Sequence, residues 1–196
     1  MKNITTLLLI GILCLIVACN KDDAADNSWG IPDATQTGEN TFGCLVNGEP
    51  WVAGIATDIF APGLYELSAN YDEIGSGIAD NFYFWVNAEY FPSSKDSSIR
   101  ESMFIDLRPI YSEGDVPFST LDRQNASFNT GLFNINNTYK IYRLDTLSNN
   151  YINITTLDTV SNVCAGLFSL QLINEDDLMD TIHITNGRFD VKYQPD

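Results

Sequence analysis

The stretch Phe82-Tyr83-Phe84-Trp85-Val86-Asn87-Ala88-Glu89 decides the fold class. Its even positions are all apolar, while its odd positions become polar toward the end. This period of two is typical of a strand with one buried face. Arg188–Tyr193 alternates in the same way and predicts that Phe189, Val191 and Tyr193 face the core. No helical apolar stripe of useful length follows residue 42, so the chain is predicted to be all-β.

Further apolar runs with strand composition are separated by turn signals. Asn47-Gly48 and Asn186-Gly187 each favour the positive φ angles of a type I′ hairpin turn. Pro50, just after the first of them, indicates a longer loop or an edge strand. We expect a single antiparallel β-sandwich or flattened barrel of about ten strands, with a lipocalin-like barrel as the alternative. The other predicted strands are Phe42–Val46, Trp51–Phe60, Leu64–Ala69, Met103–Leu107, Tyr139–Leu144, Tyr151–Thr155, Val163–Ile173 and Thr181–Thr185.

The chain begins like an exported protein. Lys2 precedes an apolar run, Leu7–Ala18, that covers roughly 18 Å as a helix and is short of the ~30 Å that spans a bilayer. This pattern predicts a secretory signal over residues 1–18, with a short membrane anchor helix as the alternative. Leu15-Ile16-Val17-Ala18-Cys19 resembles a bacterial lipobox, which implies cleavage before Cys19 and acylation of that cysteine. Two or more acyl chains anchor a protein stably to a membrane, so membrane lipid is the first predicted partner.

The next segment, residues 19–41, is predicted to be the lipidated cysteine and a flexible acidic tether, followed by an all-β domain over 42–196. Asn20–Thr41 holds five acids and one lysine and has little to bury. Asn20-Lys21-Asp22-Asp23 resembles an export signal to the outer face of the outer membrane, although it also fits a plain soluble tether. We therefore expect a lipid anchor in the outer membrane, with exposure on the cell surface left open.

Charge excludes one class of partner. The formal net charge is -16, and loss of Lys2 with the signal makes it -17. Such an acidic chain repels phosphate backbones, so nucleic-acid binding is not expected. The 44% hydrophobic and 12% aromatic composition supplies enough apolar material for a core.

Two cysteines remain in the predicted domain, since Cys14 leaves with the signal and Cys19 is lipidated. Cys44 and Cys164 both lie on apolar faces of predicted strands, outside the cytoplasm, where disulfides persist. They are a candidate disulfide, with two buried free thiols as the alternative. No CxxC occurs and His183 is the only histidine, so neither a metal site nor a cofactor is predicted.

Phe42-Gly43-Cys44-Leu45-Val46-Asn47-Gly48-Glu49-Pro50-Trp51 resembles the opening of an uncharacterised family of β-rich lipoproteins of Gram-negative bacteria. Its signature is an aromatic strand, an Asn-Gly turn and a tryptophan shortly after. Ile182–Val191 is similar to the last hairpin of that family. The resemblance implies a β-rich domain of unknown function on a lipid anchor, and it brings no catalytic residues.

Candidate chemistry is sparse. His183 is predicted to face solvent, and no GxSxG elbow or other catalytic partner accompanies it. Asn174-Glu175-Asp176-Asp177 is interpreted as a solvated hairpin tip, and Trp51 as a core anchor. Tyr83 and Trp85 share a face with Asn87, and this aromatic-polar mixture is the candidate ligand surface. Alternatively, both aromatic rings cover a second sheet.

One tripeptide pattern recurs: Asp145-Thr146-Leu147, Asp158-Thr159-Val160 and Asp180-Thr181-Ile182. It resembles an O-glycosylation site of exported proteins in such bacteria, which makes Thr146, Thr159 and Thr181 candidates for modification. A modified threonine must be exposed, because a glycan cannot be buried.

These observations predict a non-catalytic outer-membrane lipoprotein that binds a ligand, a glycan or a partner protein. A docking subunit of a membrane complex is the alternative, and a hydrolase of surface glycans is a third hypothesis. The absence of a catalytic motif favours the first.

Overall fold

The computed structural model describes residues 30–55, 67–73, 82–91, 99–117, 121–132 and 138–194. Every regular element in these ranges is a strand, which confirms the predicted all-β fold. The strands are β1 (Thr41–Val46), β2 (Glu49–Val52), β3 (Gly54–Ile55), β4 (Leu67–Glu73), β5 (Phe82–Phe91), β6 (Ile99–Leu107), β7 (Gly114–Asp115), β8 (Ala126–Leu132), β9 (Thr138–Leu144), β10 (Tyr151–Asp158), β11 (Val163–Asn174) and β12 (Thr181–Lys192).

The described strands form one twelve-stranded sheet with the order β2-β1-β12-β11-β9-β8-β6-β5-β3. Neighbours are antiparallel except β3 and β5. The long strand β11 pairs with β10 along its first half and with β9 along its second. Beyond β12, the Gln194 amide donates to the Ala69 carbonyl of β4 at 3.2 Å. These pairings curl the sheet into a half-barrel.

The alternation of the sequence places one face of the sheet, the core face, out of water. Phe84, Val86 and Ala88 of β5 are fully buried there, as the pattern of that strand predicts. Phe189 of β12 stacks on Phe84 with ring centroids 5.6 Å apart, an arrangement that stabilises a core beyond the area that it buries. The predicted inward positions Phe189, Val191 and Tyr193 are all buried.

The first Asn-Gly turn is confirmed. Asn47 has φ 52° and Gly48 has φ 88°, and Val46 pairs with Glu49 across the two-residue connection. These angles suit a type I′ turn, whose twist matches that of the flanking strands. Pro50 lies in β2 at the end of the sheet order, so the edge position that it indicates is correct and the longer loop is not formed.

The prediction of a hairpin turn at the second Asn-Gly pair is wrong. Asn186 and Gly187 lie inside β12, which runs without a break from Thr181 to Lys192, so the stretch that resembles a final hairpin is one strand. The register against β11 shifts between Phe168 and Leu170, and the extra residue on β12 makes a bulge with Asn186 at φ 51°. The Phe168 ring fills the space where a side chain at position 187 would stand.

Residues 31–39, which the sequence places in the tether, pack against the sheet. Ile31 is buried, and the Asp190 carboxylate of β12 accepts four hydrogen bonds from this segment, which we call the strap. The folded domain therefore begins before residue 42, because a buried carboxylate needs the donors that the strap supplies. Cys19 and the rest of the predicted signal and tether up to residue 29 lie outside the described residues.

Candidate functional site

The face of the sheet opposite the core, the outer face, carries a groove of about 350 Å³ across β6, β8 and β9. Strand pairing aligns one residue from each of these strands in a row across the sheet: Arg100 of β6 lies opposite Gly131 of β8, and Gly131 lies opposite Tyr139 of β9. Because Gly131 has no side chain, nothing on β8 separates the Arg100 guanidinium from the Tyr139 ring in this row. The remaining lining side chains are Ser102, Asn129, Thr130, Ile141 and Arg143.

The two arginines of this groove have acidic partners beside it. Arg100 forms an ion pair with Glu89 of β5, and Arg143 Nε donates to Glu175 Oε1 at 3.0 Å. A guanidinium has five N–H donors, so Arg143 keeps donors beyond its pair with Glu175. The groove is therefore rich in hydrogen-bond donors and close to neutral in charge.

The groove also contains a hydrogen-bonded polar pair on its floor and an aromatic ring at its rim. Asn129 Nδ2 donates to Ser102 Oγ at 3.1 Å, which leaves the amide oxygen as an acceptor. Tyr139 stands at the rim and is 45% exposed. An exposed ring beside paired donors and acceptors is suited to a polar ligand with one apolar face.

Tyr83 and Trp85 lie on the same outer face but do not line the groove. The Trp85 ring packs against Phe104 of β6 with centroids 6.2 Å apart, and the Arg108 guanidinium lies 5.2 Å from the Tyr83 ring. Both side chains are half-buried. This aromatic patch meets the groove along β6, where Phe104 and Ser102 are successive outward residues.

The two cysteines of the domain are both buried free thiols in the structure. Cys44 of β1 lies opposite Trp51, and Cys164 of β11 lies opposite Leu157 and Val191. Burial raises the pKa of both thiols, so both stay protonated and unreactive at neutral pH.

The three Asp-Thr tripeptides have different surroundings. Asp145 Oδ1 accepts from the Leu147 amide at 3.0 Å, and Asp158 Oδ1 accepts from the Val160 amide at 2.8 Å, so the first two form the same turn. Thr159 is exposed at its turn, and Thr146 is half-buried. Local turn geometry thus accounts for two of the repeats, and the modification of these threonines stays a prediction.

Asp180 of the third tripeptide has a structural role. Its Oδ2 accepts from Lys140 Nζ at 2.7 Å, from Tyr142 OH at 3.0 Å and from Asn174 Nδ2 at 3.0 Å. The Lys140, Asn174 and Tyr142 hydrogen bonds lower the pKa of Asp180 to about 2. The cluster fastens β9 to the turn between β11 and β12, where Thr181 is half-buried as the first residue of the strand.

The other predicted positions behave as simple surface or core groups. His183 is exposed, and the run that follows Asn174 forms the exposed turn between β11 and β12, as the sequence predicts. In the described ranges, no three His, Cys, Asp or Glu side chains are placed to hold a metal ion.

Trp51 is the core anchor that the sequence predicts, being 3% exposed. Its Nε1 donates to Glu101 Oε2 at 2.9 Å, and Thr130 Oγ1 donates to Glu101 Oε1 at 3.0 Å. Trp51, Glu101 and Glu49 all line a second groove of about 310 Å³. Both oxygens of the Glu101 carboxylate therefore already accept hydrogen bonds from the protein.

Sequence reasoning missed the groove itself. It overlooked β8, although Ala126 and Phe128 alternate there with the polar Ser127 and Asn129, a signal that could have identified the strand. Arg100 and Arg143 carried no local signal, because only the register of β6, β8 and β9 brings them to one place.

Comparisons with family models, with curated proteins and with solved structures find no match to this chain. Among the described residues there is no helix with the length and apolar character to cross a bilayer.

Proposed function

We propose that this protein is a non-catalytic, lipid-anchored glycan-binding module whose ligand lies in the groove on β6, β8 and β9. The observation that carries the proposal is the row Arg100–Gly131–Tyr139, which places an exposed aromatic ring and a guanidinium on either side of a position without a side chain.

A sugar ring matches this row in shape and in chemistry. Its C–H face can cover the Tyr139 ring, while its hydroxyls meet the remaining donors of Arg143 and the amide oxygen of Asn129. The carboxylates of Glu89 and Glu175 already balance the two arginine charges. The groove is therefore suited to uncharged hexose units rather than to acidic sugars.

The anchor supports a function outside the cytoplasm. The lipobox-like sequence that ends at Cys19 and the acidic residues after it favour a lipoprotein of the outer membrane, held to membrane lipid by Cys19. A groove on the surface of a tethered domain can meet polymers too large to enter a cavity. A lipid anchor together with an open surface groove suits a module that holds glycans near the cell.

The test is binding of uncharged glucose, mannose and N-acetylglucosamine oligosaccharides to the full chain in detergent, measured by isothermal titration calorimetry. Tyr139→Ala is expected to weaken the binding of the preferred sugar about tenfold or more, which corresponds to about 1.4 kcal/mol. Tyr151→Ala is the matched control, because Tyr151 is also 45% exposed but lies on β10, away from this groove.

Trp85→Ala tests whether the aromatic patch extends the site, and it is expected to weaken longer oligosaccharides more than short ones. Absence of binding to every sugar of the panel, or equal loss in Tyr139→Ala and Tyr151→Ala, would contradict the proposal.

A second candidate, hydrolysis of glycans, rests on the groove that contains Glu49 and Glu101, since glycoside hydrolysis uses two carboxylates. It ranks second because both oxygens of Glu101 already accept structural hydrogen bonds. Release of reducing ends from any oligosaccharide of the panel, abolished in Glu101→Gln with the fold intact, would favour it over simple binding.

A further inference from the structure

Arg188 is a buried arginine without an acidic partner among the described residues. It lies on the outer face of β12 and is 8% exposed. Within the described part of the chain its one hydrogen bond is long, from Nε to the Asn186 carbonyl at 3.4 Å. By contrast, Arg100, Arg108 and Arg143 of the outer face each have a carboxylate partner although their side chains are more exposed.

The nearest acid along the strand does not fill this role. Asp190 faces the same side as Arg188, but both of its oxygens accept donors from the strap: Oδ1 from the Gly38 amide, and Oδ2 from Thr35 and the amides of Thr37 and Glu39. The Arg188 guanidinium therefore has no counter-charge among the described residues, and its nitrogen atoms are not among the described atoms that are both buried and without a hydrogen-bond partner. An anion that enters the groove would supply the missing counter-charge.

Arg188 lines a groove of about 350 Å³ that could admit such an anion. The walls are largely apolar and come from Tyr151 of β10, Leu167 and Phe168 of β11, and Ala34 of the strap. The bulge at Asn186-Gly187 shapes the end of the groove beside the guanidinium. A single positive charge in an apolar setting defines the chemistry of the ligand: one acidic group on an apolar body.

We propose that this groove binds a small monocarboxylate with an apolar or aromatic body. The carboxylate accepts two parallel N–H bonds from the Arg188 guanidinium, the geometry in which arginine binds carboxylates best. The body lies against Leu167 and the Tyr151 ring. The site is separate from the glycan groove and does not depend on it.

Thermal unfolding of the full chain in detergent tests the site, with phenylacetate as the probe and phenylacetamide as its uncharged counterpart. At about one hundred times its Kd, phenylacetate is expected to raise the Tm by about 5–10 °C. The amide is expected to leave the Tm unchanged, because it brings no charge to the arginine.

Arg188→Met removes the charge and keeps the bulk of the side chain, and it is expected to abolish the phenylacetate shift. Without probe, its Tm should stay close to that of the natural chain, because methionine keeps most of the apolar contacts that the arginine side chain makes. Tyr151→Ala, at an exposed position, keeps the test valid if Arg188→Met fails to fold. It should reduce the phenylacetate shift, while Tyr139→Ala in the glycan groove should not.

Three results would overturn the proposal: no shift with phenylacetate in the natural chain, equal shifts with acid and amide, or an undiminished shift in both Arg188→Met and Tyr151→Ala. A fourth result, which involves the acidic residues that precede the strap, would also overturn it. If phenylacetate binds only after Asp22, Asp23 and Asp26 are replaced by Asn, the occupant of the groove is the chain itself and not a separate ligand.

Discussion

Replacement of Asp190 by Asn should separate the strap from the sheet. The carboxylate is 1% exposed and accepts from Gly38 N at 2.7 Å on Oδ1, and from Thr35 Oγ1, Thr37 N and Glu39 N at 2.7, 3.0 and 3.1 Å on Oδ2. All four partners are donors. An amide in the same place can present one oxygen to the Oδ2 group, and its NH₂ then faces the Gly38 N–H as a second donor.

The expected cost follows from these bonds. A hydrogen bond to a charged group contributes about 1.5–3 kcal/mol and one between neutral groups about 0.5–1.5 kcal/mol. Asp190→Asn loses one charged bond and weakens three others, so the free energy of unfolding should fall by about 2–4 kcal/mol. For a domain of this size, that change lowers the Tm by about 5–15 °C. Asp176→Asn, at an exposed turn position, is the control and should change little.

The effect should depend on pH in a defined direction. Burial raises the pKa of Asp190, but its four hydrogen bonds outweigh burial and hold the pKa below its usual range. A carboxyl whose pKa is lowered in the folded state adds stability above its unfolded pKa of about 3.9 and loses it as the pH falls through the folded value. The difference in Tm between the natural chain and Asp190→Asn should therefore be constant near neutrality and shrink below about pH 4.

Calorimetric unfolding at several pH values is the assay, with hydrogen exchange of the Thr37, Gly38 and Glu39 amides as a local readout. Asp190→Asn should speed exchange at these three amides before the sheet itself opens. A Tm equal to that of Asp176→Asn, or a difference that persists unchanged at pH 2, would refute this explanation of how the strap is held.

Three other predictions follow from single contacts. Gly187→Ala should lower the free energy of unfolding in urea by about 1–3 kcal/mol, because its methyl group would overlap the aromatic ring that fills the bulge. Cys44 and Cys164 should stay unreactive toward a thiol reagent in the folded domain and react after unfolding; a mass two hydrogens lower than the sum of residues would instead reveal a disulfide. Lys140→Met should raise the pKa of Asp180 from about 2 in an NMR titration, since the Lys140 hydrogen bond is the largest cause of its lowering.

Most of the fold could be predicted because side-chain alternation is a local signal. The spacing of Phe84, Val86 and Ala88 identifies the buried face of β5 without information from any other strand. The two Asn-Gly pairs show that a local signal alone does not determine whether a turn forms. Asn47 and Asn186 have nearly the same φ, 52° and 51°, yet the glycine that follows is at positive φ in the first pair and not in the second. β11 pairs with β12 on both sides of Asn186-Gly187, and this long-range pairing converts a turn sequence into a bulge.

The candidate grooves could not be predicted for the same reason. Arg100, Gly131 and Tyr139 belong to three strands, and their meeting depends on pairing between residues far apart in the chain. Arg188 looks like an ordinary outward residue of an alternating strand. It lines one groove with Ala34 of the strap and with Leu167 and Phe168 of β11, residues far from it in the chain that do not change the local pattern.

The position of the strap also bears on the proposed lipid anchor and on the proposed glycan groove. Ala34 of the strap lies at the Arg188 groove beside β11 and β12, and Pro32 packs on Gly43 of β1, so the chain enters the fold over this part of the outer face. The glycan groove lies on β9, β8 and β6, beyond β11 in the strand order. The strands that the strap crosses and the strands of the proposed sugar-binding surface are therefore different. In the proposed lipid-anchored state, tension on the chain before the strap would act at β1 and β12 and leave Tyr139 accessible to a polymer. Release of the strap by Asp190→Asn should for this reason leave sugar binding at Tyr139 intact while it alters the carboxylate groove that the strap helps to line.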